Sequence, residues 1–181
     1  MRQIPVRADF GFFLLLSLFL VLNQDASGVV WAVLLHELSH LLMMKLFRVR
    51  VKRISLEFWG IRIEREETSS LRREMLINLA GPAANFLAAF FFFGGWKKFS
   101  ALNFALGLFE LCPLPSLDGG QALMDFLQQR TSLERANHIC RRVECMAFLL
   151  TAAAGGILLV KEKNPMLLIL AVGIGMSLLG K

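Results

Sequence analysis

The sequence predicts an all-α polytopic membrane protein with about six transmembrane helices and a small cytoplasmic β-hairpin between the second and third helices. The 181 residues are 56% hydrophobic, and the mean hydropathy is +0.58. Charged residues make up 19% of the chain, whereas an average soluble domain carries about 25%. They are also grouped between long apolar stretches. We therefore interpret residues 1–181 as a single membrane-embedded domain with a core at about 29–127.

Six apolar segments predict the helices. They are residues 10–22, 29–47, 75–94, 99–112, 143–160 and 165–179. The first is shorter than the roughly 20 residues that a helix needs to cross a bilayer. It could instead be the apolar region of a signal peptide behind Arg2 and Arg7. Residues 25–28 form a poor cleavage site, which favours a retained helix.

Basic residues predict the orientation of these helices. They are concentrated at 48–73, between the second and third segments, and at 130–142, between the fourth and fifth. Basic loops remain on the cytoplasmic side, so we expect a cell-membrane protein with both termini cytoplasmic. The net charge of +6 then reflects topology and contact with lipid headgroups. A nucleic-acid partner is not expected, because no basic recognition module is present.

The loop between the second and third segments contains a strand pattern. Residues 49–65 alternate apolar and charged side chains, a period of two that indicates strands. We expect a hairpin that turns near Trp59-Gly60. It could be a structural brace, or a strand edge that holds an extended peptide by β-augmentation.

The second apolar segment contains His36-Glu37-Leu38-Ser39-His40. H-E-x-x-H on a helix places two imidazoles one turn apart on one face, beside a glutamate. Two neutral histidines are good Zn²⁺ ligands, and the glutamate can act as general base for the attacking water. Ionisable groups within a membrane span are costly, which makes a functional site the default hypothesis. We therefore predict a zinc centre held by His36 and His40, with Glu37 as the catalytic residue and the site toward the cytoplasmic side.

Zinc needs a third protein ligand, and Asp118 is the best candidate. It lies in a stretch where Pro113 and Pro115 interrupt the helix, while Gly119 and Gly120 allow close backbone approach. Irregular backbone at membrane depth is tolerated where protein or a water-filled cavity surrounds it. Alternatively, Asp118 could be an ordinary N-cap of the helix that follows.

Three motifs together resemble the site-2 protease family of intramembrane zinc metalloproteases. The first is His36 to His40, similar to the family's H-E-x-x-H. The second is Gly81-Pro82-Ala83-Ala84-Asn85, similar to its G-P-x-x-N helix, and the third is Leu117-Asp118-Gly119, similar to its L-D-G ligand motif. The chain looks most like the sporulation type, as in stage IV sporulation protein FB. No PDZ or CBS domain is expected within the chain.

The resemblance implies hydrolysis of a peptide bond in or near the transmembrane segment of a membrane-tethered protein, such as a transcription-factor precursor in sporulation. The lipid bilayer and regulatory membrane partners would be its other contacts. Asn85 and Glu110 are the candidate substrate-binding residues. Glu110 departs from the family, which has asparagine at that position, whereas Asn103 is retained. Asn85 could serve as helix glue or donate to a substrate carbonyl.

Alternative functions remain open at this point. One is a membrane metal-binding or metal-transport protein without proteolytic activity, since transporters line their paths with histidines and carboxylates. The prenyl-protein peptidases also use H-E-x-x-H in membranes, with a glutamate as third ligand. A catalytically idle scaffold is the last alternative, and the intact Glu37 argues against it.

Overall fold

Helices dominate the computed structural model, which describes residues 5–8, 26–57, 60–66, 68, 70–163, 168, 171–172 and 174–175. The elements in chain order are β1 (Val6–Ala8), α1 (Ala26–Leu46), β2 (Val51–Glu57), β3 (Gly60–Arg65), α2 (Leu71–Phe92), α3 (Lys97–Glu110), α4 (Asp118–Gln128) and α5 (Leu133–Glu162). The predicted helix at 10–22 lies outside the described residues, as does most of 165–179. Contacts divide the chain into two units, Met1–Glu110 and Leu111–Lys181.

Three helices of the described part are long and apolar enough to cross a membrane, judged by length and composition. They are Ser27–Leu46, Leu71–Phe92 and Leu133–Lys161. The predicted segment 99–112 corresponds to α3, which has 14 residues and is shorter than the roughly 20 needed to cross. The structure therefore supports three of the six predicted spans among the described residues. The helices support a multi-pass membrane protein, and the side that each loop faces remains a prediction.

In the first unit, α1 is apolar on all sides but buries only one stripe. The buried residues recur every four positions, at Ala32, His36, His40 and Met44. Large apolar side chains such as Leu38 and Leu42 are exposed on other faces. A helix that is hydrophobic all round belongs in a membrane or a large core. The buried stripe therefore faces protein, and we assign the exposed leucines to lipid.

Small and polar residues hold α2 and α3 close together. The buried positions of α3 are Ser100, Asn103 and Gly107, spaced so that they share one face. The Ser100 hydroxyl donates to the Ala89 carbonyl of α2 at 2.6 Å. A Cβ at Gly107 would lie 3.3 Å from the Pro82 carbonyl oxygen. Such stripes allow the close backbone approach that drives helix association in membranes.

The predicted hairpin is confirmed, and it belongs to a three-stranded sheet of order β1-β2-β3. β2 and β3 pair antiparallel and join between Glu57 and Gly60, with a register irregularity at Val51/Arg53. The sequence did not predict β1, which pairs parallel with β2. A strand of three residues is too short to display the period of two on which strand prediction depends.

The second unit contains α4 and α5. α4 begins at Asp118, and its N-cap is Leu117, so Asp118 does not fill the N-cap position that was the alternative for it. Cβ atoms at Gly119 and Gly120 would lie 2.2 Å and 2.0 Å from the carbonyl oxygens of Leu111 and Leu114. These glycines therefore permit the preceding turn to fold back on the start of α4. α5 begins ten residues before the predicted segment 143–160 and is capped by Ser132.

Candidate metal centre

His36 and His40 meet at their Nε2 atoms, which lie 3.1 Å apart. Both side chains are buried, with 6% and 7% of their surface exposed. The spacing is set by α1, because residues four apart lie one above the other on a helix. Two nitrogens bound to one tetrahedral zinc at 2.0–2.1 Å are ~3.3 Å apart. The pair is therefore close to the separation that a shared metal ion requires.

The opposite nitrogen of each ring faces an oxygen of α2. His36 Nδ1 lies 2.7 Å from Asn85 Oδ1, and His40 Nδ1 lies 2.7 Å from the Ile77 carbonyl oxygen. Because these oxygens only accept hydrogen bonds, they favour the neutral tautomer that carries its proton on Nδ1 in both rings. Each Nε2 is then left without a proton, as binding of a metal ion requires. The donor set and the outer hydrogen bonds are those of metal-binding histidines.

Gly81 brings the backbone of α2 against the two rings. A Cβ at this position would lie 2.5 Å from His40 Nε2 and 2.6 Å from His36 Nε2. Real side chains do not tolerate such distances, so only glycine leaves the space beside the two nitrogens open. The atoms nearest to Gly81 are thus the two nitrogens that face each other in the histidine pair.

Asn85 occupies the centre of a buried hydrogen-bond network. Its Oδ1 accepts from His36, and its Nδ2 donates to Asn103 Oδ1 at 2.9 Å and to the Ala32 carbonyl at 3.3 Å. Asn85 and Asn103 are fully buried. The network connects α1, α2 and α3 at the level of His36. The predicted substrate contact of Asn85 remains a prediction beside this observed contact with His36.

The remaining predicted residues are placed as follows. Glu37 is half-buried on α1, directly after His36, and Glu110 is the last residue of α3 and also half-buried. Asp118 is half-buried at the start of α4 in the second unit. The roles predicted for Glu37, Glu110 and Asp118 remain predictions.

Sequence reasoning missed the carbonyl groups that orient the histidines. The Ile77 oxygen holds His40, and the Ala32 oxygen contributes to the placement of Asn85. Main-chain oxygens have no sequence signature, so the available signal was indirect. That signal is the position of Ile77 four residues before Gly81, within the segment that carries the G-P-x-x-N motif.

Comparison with solved structures assigns the fold. The chain resembles the site-2 protease from Methanocaldococcus jannaschii with a TM-score of 0.68 and 21% identity, over 98% of this chain and 90% of that chain. The chain has the fold of that protease. Zinc metalloprotease MJ0392 of the same organism is 26% identical over 162 residues, covering 77% of this chain and 48% of the relative. The chain thus spans about half the length of this curated relative. No family model matches the chain.

Proposed function

We propose that this chain is an intramembrane zinc metalloprotease of the site-2 protease family. The observation that carries the proposal is the pair of buried Nε2 atoms, 3.1 Å apart, on a helix that can cross a membrane. The shared fold and the similarity to a zinc metalloprotease support it. The reaction is hydrolysis of a peptide bond in or near the transmembrane segment of a membrane-tethered protein.

His36, His40 and Asp118 are the proposed zinc ligands. Two imidazoles and one carboxylate form a donor set of the catalytic type, which leaves a fourth position open. When bound, zinc supplies a Lewis acid that polarises the scissile carbonyl and makes water a better nucleophile near neutral pH.

Glu37 is the proposed general base. It takes a proton from the attacking water as the water oxygen bonds to the scissile carbonyl carbon. As the C–N bond breaks, Glu37 returns that proton to the leaving amine.

The substrate must present an extended backbone, because a helix hides its amide groups in hydrogen bonds. β3 pairs with β2 alone among the described strands, so its outer edge is the proposed site for strand addition. Resemblance to the sporulation type favours a transcription-factor precursor as substrate, released to the cytoplasm. Asn85 and Glu110 remain the proposed contacts near the substrate strand.

Cleavage of a tagged single-pass reporter, co-expressed with the full chain, tests the proposal. We expect cleavage by the wild type and none by Glu37→Gln, with equal zinc content in both purified proteins. Glu134→Gln is the matched control, because Glu134 is exposed at the start of α5 and should leave cleavage unchanged. Cleavage by Glu37→Gln would contradict the assigned base. Bound zinc without cleavage of any reporter by the wild type would favour a metal-binding protein instead.

A further inference from the structure

Metal binding at His36 depends on which ring nitrogen carries the proton. A neutral imidazole binds a metal through the nitrogen without a proton, and the hydrogen bond at the other nitrogen selects between the two tautomers. At His36 that selecting partner is the side-chain amide of Asn85. An amide can present either its oxygen or its NH₂ group, so Asn85 alone does not determine the tautomer.

Asn103 supplies the shorter of the two hydrogen bonds that set which end of the Asn85 amide faces the histidine. Its Oδ1 accepts from Asn85 Nδ2 at 2.9 Å, and it can do so only if its own NH₂ group points elsewhere. That NH₂ group donates to the Phe99 carbonyl oxygen at 2.9 Å. A main-chain carbonyl cannot donate, so the direction of the whole series is fixed at this end.

The hydrogen bonds therefore run in one direction, from Asn103 to Phe99, from Asn85 to Asn103, and from His36 to Asn85. The Ala32 carbonyl reinforces the same direction, since it also accepts from Asn85 Nδ2 at 3.3 Å. Both asparagines have 0% exposure, so bulk water cannot readily replace a missing partner. A reversed Asn85 amide would turn its NH₂ group toward His36 and leave buried groups without hydrogen bonds, which is costly.

Packing holds Asn103 in position. Ser100 and Gly107 lie about one turn to either side of it on α3, and both contact α2 closely. The Ser100 hydroxyl bonds to Ala89, and a Cβ at Gly107 would lie 3.3 Å from Asn85 Cβ. α3 therefore has little freedom to slide relative to Asn85.

We propose that Asn103 is a positioning residue that keeps the proton of His36 on Nδ1, acting through Asn85, and so reserves Nε2 for the metal. The inference rests on the proposed metal site, but it concerns the protein before metal binds. Asn103 contacts Asn85 and none of the proposed metal ligands directly, yet it would have a role in the metal centre.

The first test is the tautomer of His36 in metal-free, histidine-¹⁵N-labelled protein in micelles. The chain has three histidines, so single variants of His40 and His138 complete the assignment. The wild type should show the Nδ1–H form of His36. Asn103→Leu, which has the same branching but neither an acceptor nor a donor, should show a mixture of both forms. A wild type in the Nε2–H form would overturn the proposal without any variant of Asn103.

The second test is zinc affinity, measured by competition with a chelator. Loss of an outer hydrogen-bonding partner weakens metal affinity by roughly 10–100-fold, and we expect that loss for Asn103→Leu. Thr151→Ala is the control, because it removes a side-chain hydrogen bond to the Ala147 carbonyl within α5, outside the series, and should leave zinc affinity unchanged. Equal losses of zinc affinity in both variants would show a general effect on packing and would overturn the proposal.

A double variant separates the effect of Asn103 on the direction of the hydrogen bonds from its effect on helix packing. Asn85→Asp offers His36 only accepting oxygens in its ionised form, so the Nδ1–H tautomer no longer needs Asn103. Asn85→Asp with Asn103→Leu should therefore recover the tautomer that Asn103→Leu alone loses. Failure to recover it would overturn the proposal. A wild type that binds no zinc would contradict the proposed function, while the tautomer measurement would still decide the role of Asn103.

Discussion

At the scale of single residues, Gly81 is the position where the helix backbone and the proposed metal site are closest. An added methyl group would lie within 2.6 Å of both Nε2 atoms. Either the two rings would rotate away from their Nδ1 partners, or α2 would move away from α1. Both changes disturb the hydrogen bonds of His36 and His40 to Asn85 and Ile77.

We expect Gly81→Ala to lose zinc affinity by more than roughly tenfold, because each disturbed outer hydrogen bond costs about that much or more. Overpacking should also destabilise the fold by about 1–3 kcal/mol. Zinc content and thermal unfolding of the purified protein measure the two effects. Gly156→Ala is the control, since a Cβ there meets nothing within 4 Å. Wild-type zinc affinity in Gly81→Ala would contradict the close approach of the α2 backbone to the two histidine rings.

Sequence reasoning identified His36 and His40 because the chemistry of two imidazoles depends on spacing, which a sequence displays. It also singled out Asn85, either as helix glue or as a donor to a substrate carbonyl. It could not choose among the partners of Asn85, since an amide makes different bonds according to its neighbours from distant segments. The contact between the Ile77 oxygen and His40 could not be predicted for a similar reason. Every residue has a carbonyl group, and only the fold decides which carbonyl group lies beside the histidine.

At the scale of elements, a partly buried ion pair fastens β3 to α2. Arg65, at the end of β3, contacts Glu74 at 2.9 Å and donates to Asn78 Oδ1 at 2.9 Å. The amide of Thr68 also donates to Glu74. Asn78 follows Ile77, whose carbonyl holds His40. The sheet and the histidine pair are therefore anchored to the same stretch of α2.

We expect Arg65→Gln to destabilise the protein by about 2 kcal/mol, since it removes hydrogen bonds to a partly buried charged group. Only 17% and 14% of the Arg65 and Glu74 side chains are exposed. Arg50→Gln is the matched control, because the Arg50–Glu66 pair is 71% and 48% exposed and surface pairs contribute about 0–1 kcal/mol. Denaturant unfolding in micelles measures both variants, and similar losses would contradict the anchoring role.

The sheet also shows which elements a sequence can reveal. β2 and β3 lie next to each other in the chain and have enough residues to alternate visibly. β1 has three residues and finds its partner more than forty positions later. Nothing local in such a short segment indicates that it will pair.

At the scale of the whole molecule, the proposed zinc ligands come from distant parts of the chain. His36 and His40 belong to the first unit, and Asp118 belongs to the second. A metal held by all three would raise the free energy of unfolding, because an unfolded chain has no preformed site. The increase would grow with the metal concentration and with the affinity of the site.

We expect Asp118→Asn to lose most bound zinc and the increase in melting temperature that zinc gives the wild type. The amide has nearly the same shape as the carboxylate but lacks its charge, and is a poorer zinc ligand. Asp125→Asn is the control, two turns further along α4. Zinc titration followed by thermal unfolding checks both. Unchanged zinc in Asp118→Asn would remove this residue from the ligand set and favour an alternative with another third ligand.

The bond from Asn103 to the Phe99 carbonyl has an evolutionary consequence. The oxygen that sets the direction of the series belongs to the main chain, and substitution of the side chain at position 99 does not remove it. The two asparagines, in contrast, have no simple replacement that keeps both a donor and an acceptor in place. Among homologues, position 99 should accept other apolar residues that keep its packing against Phe92 and Trp96, while positions 85 and 103 change rarely, and then together.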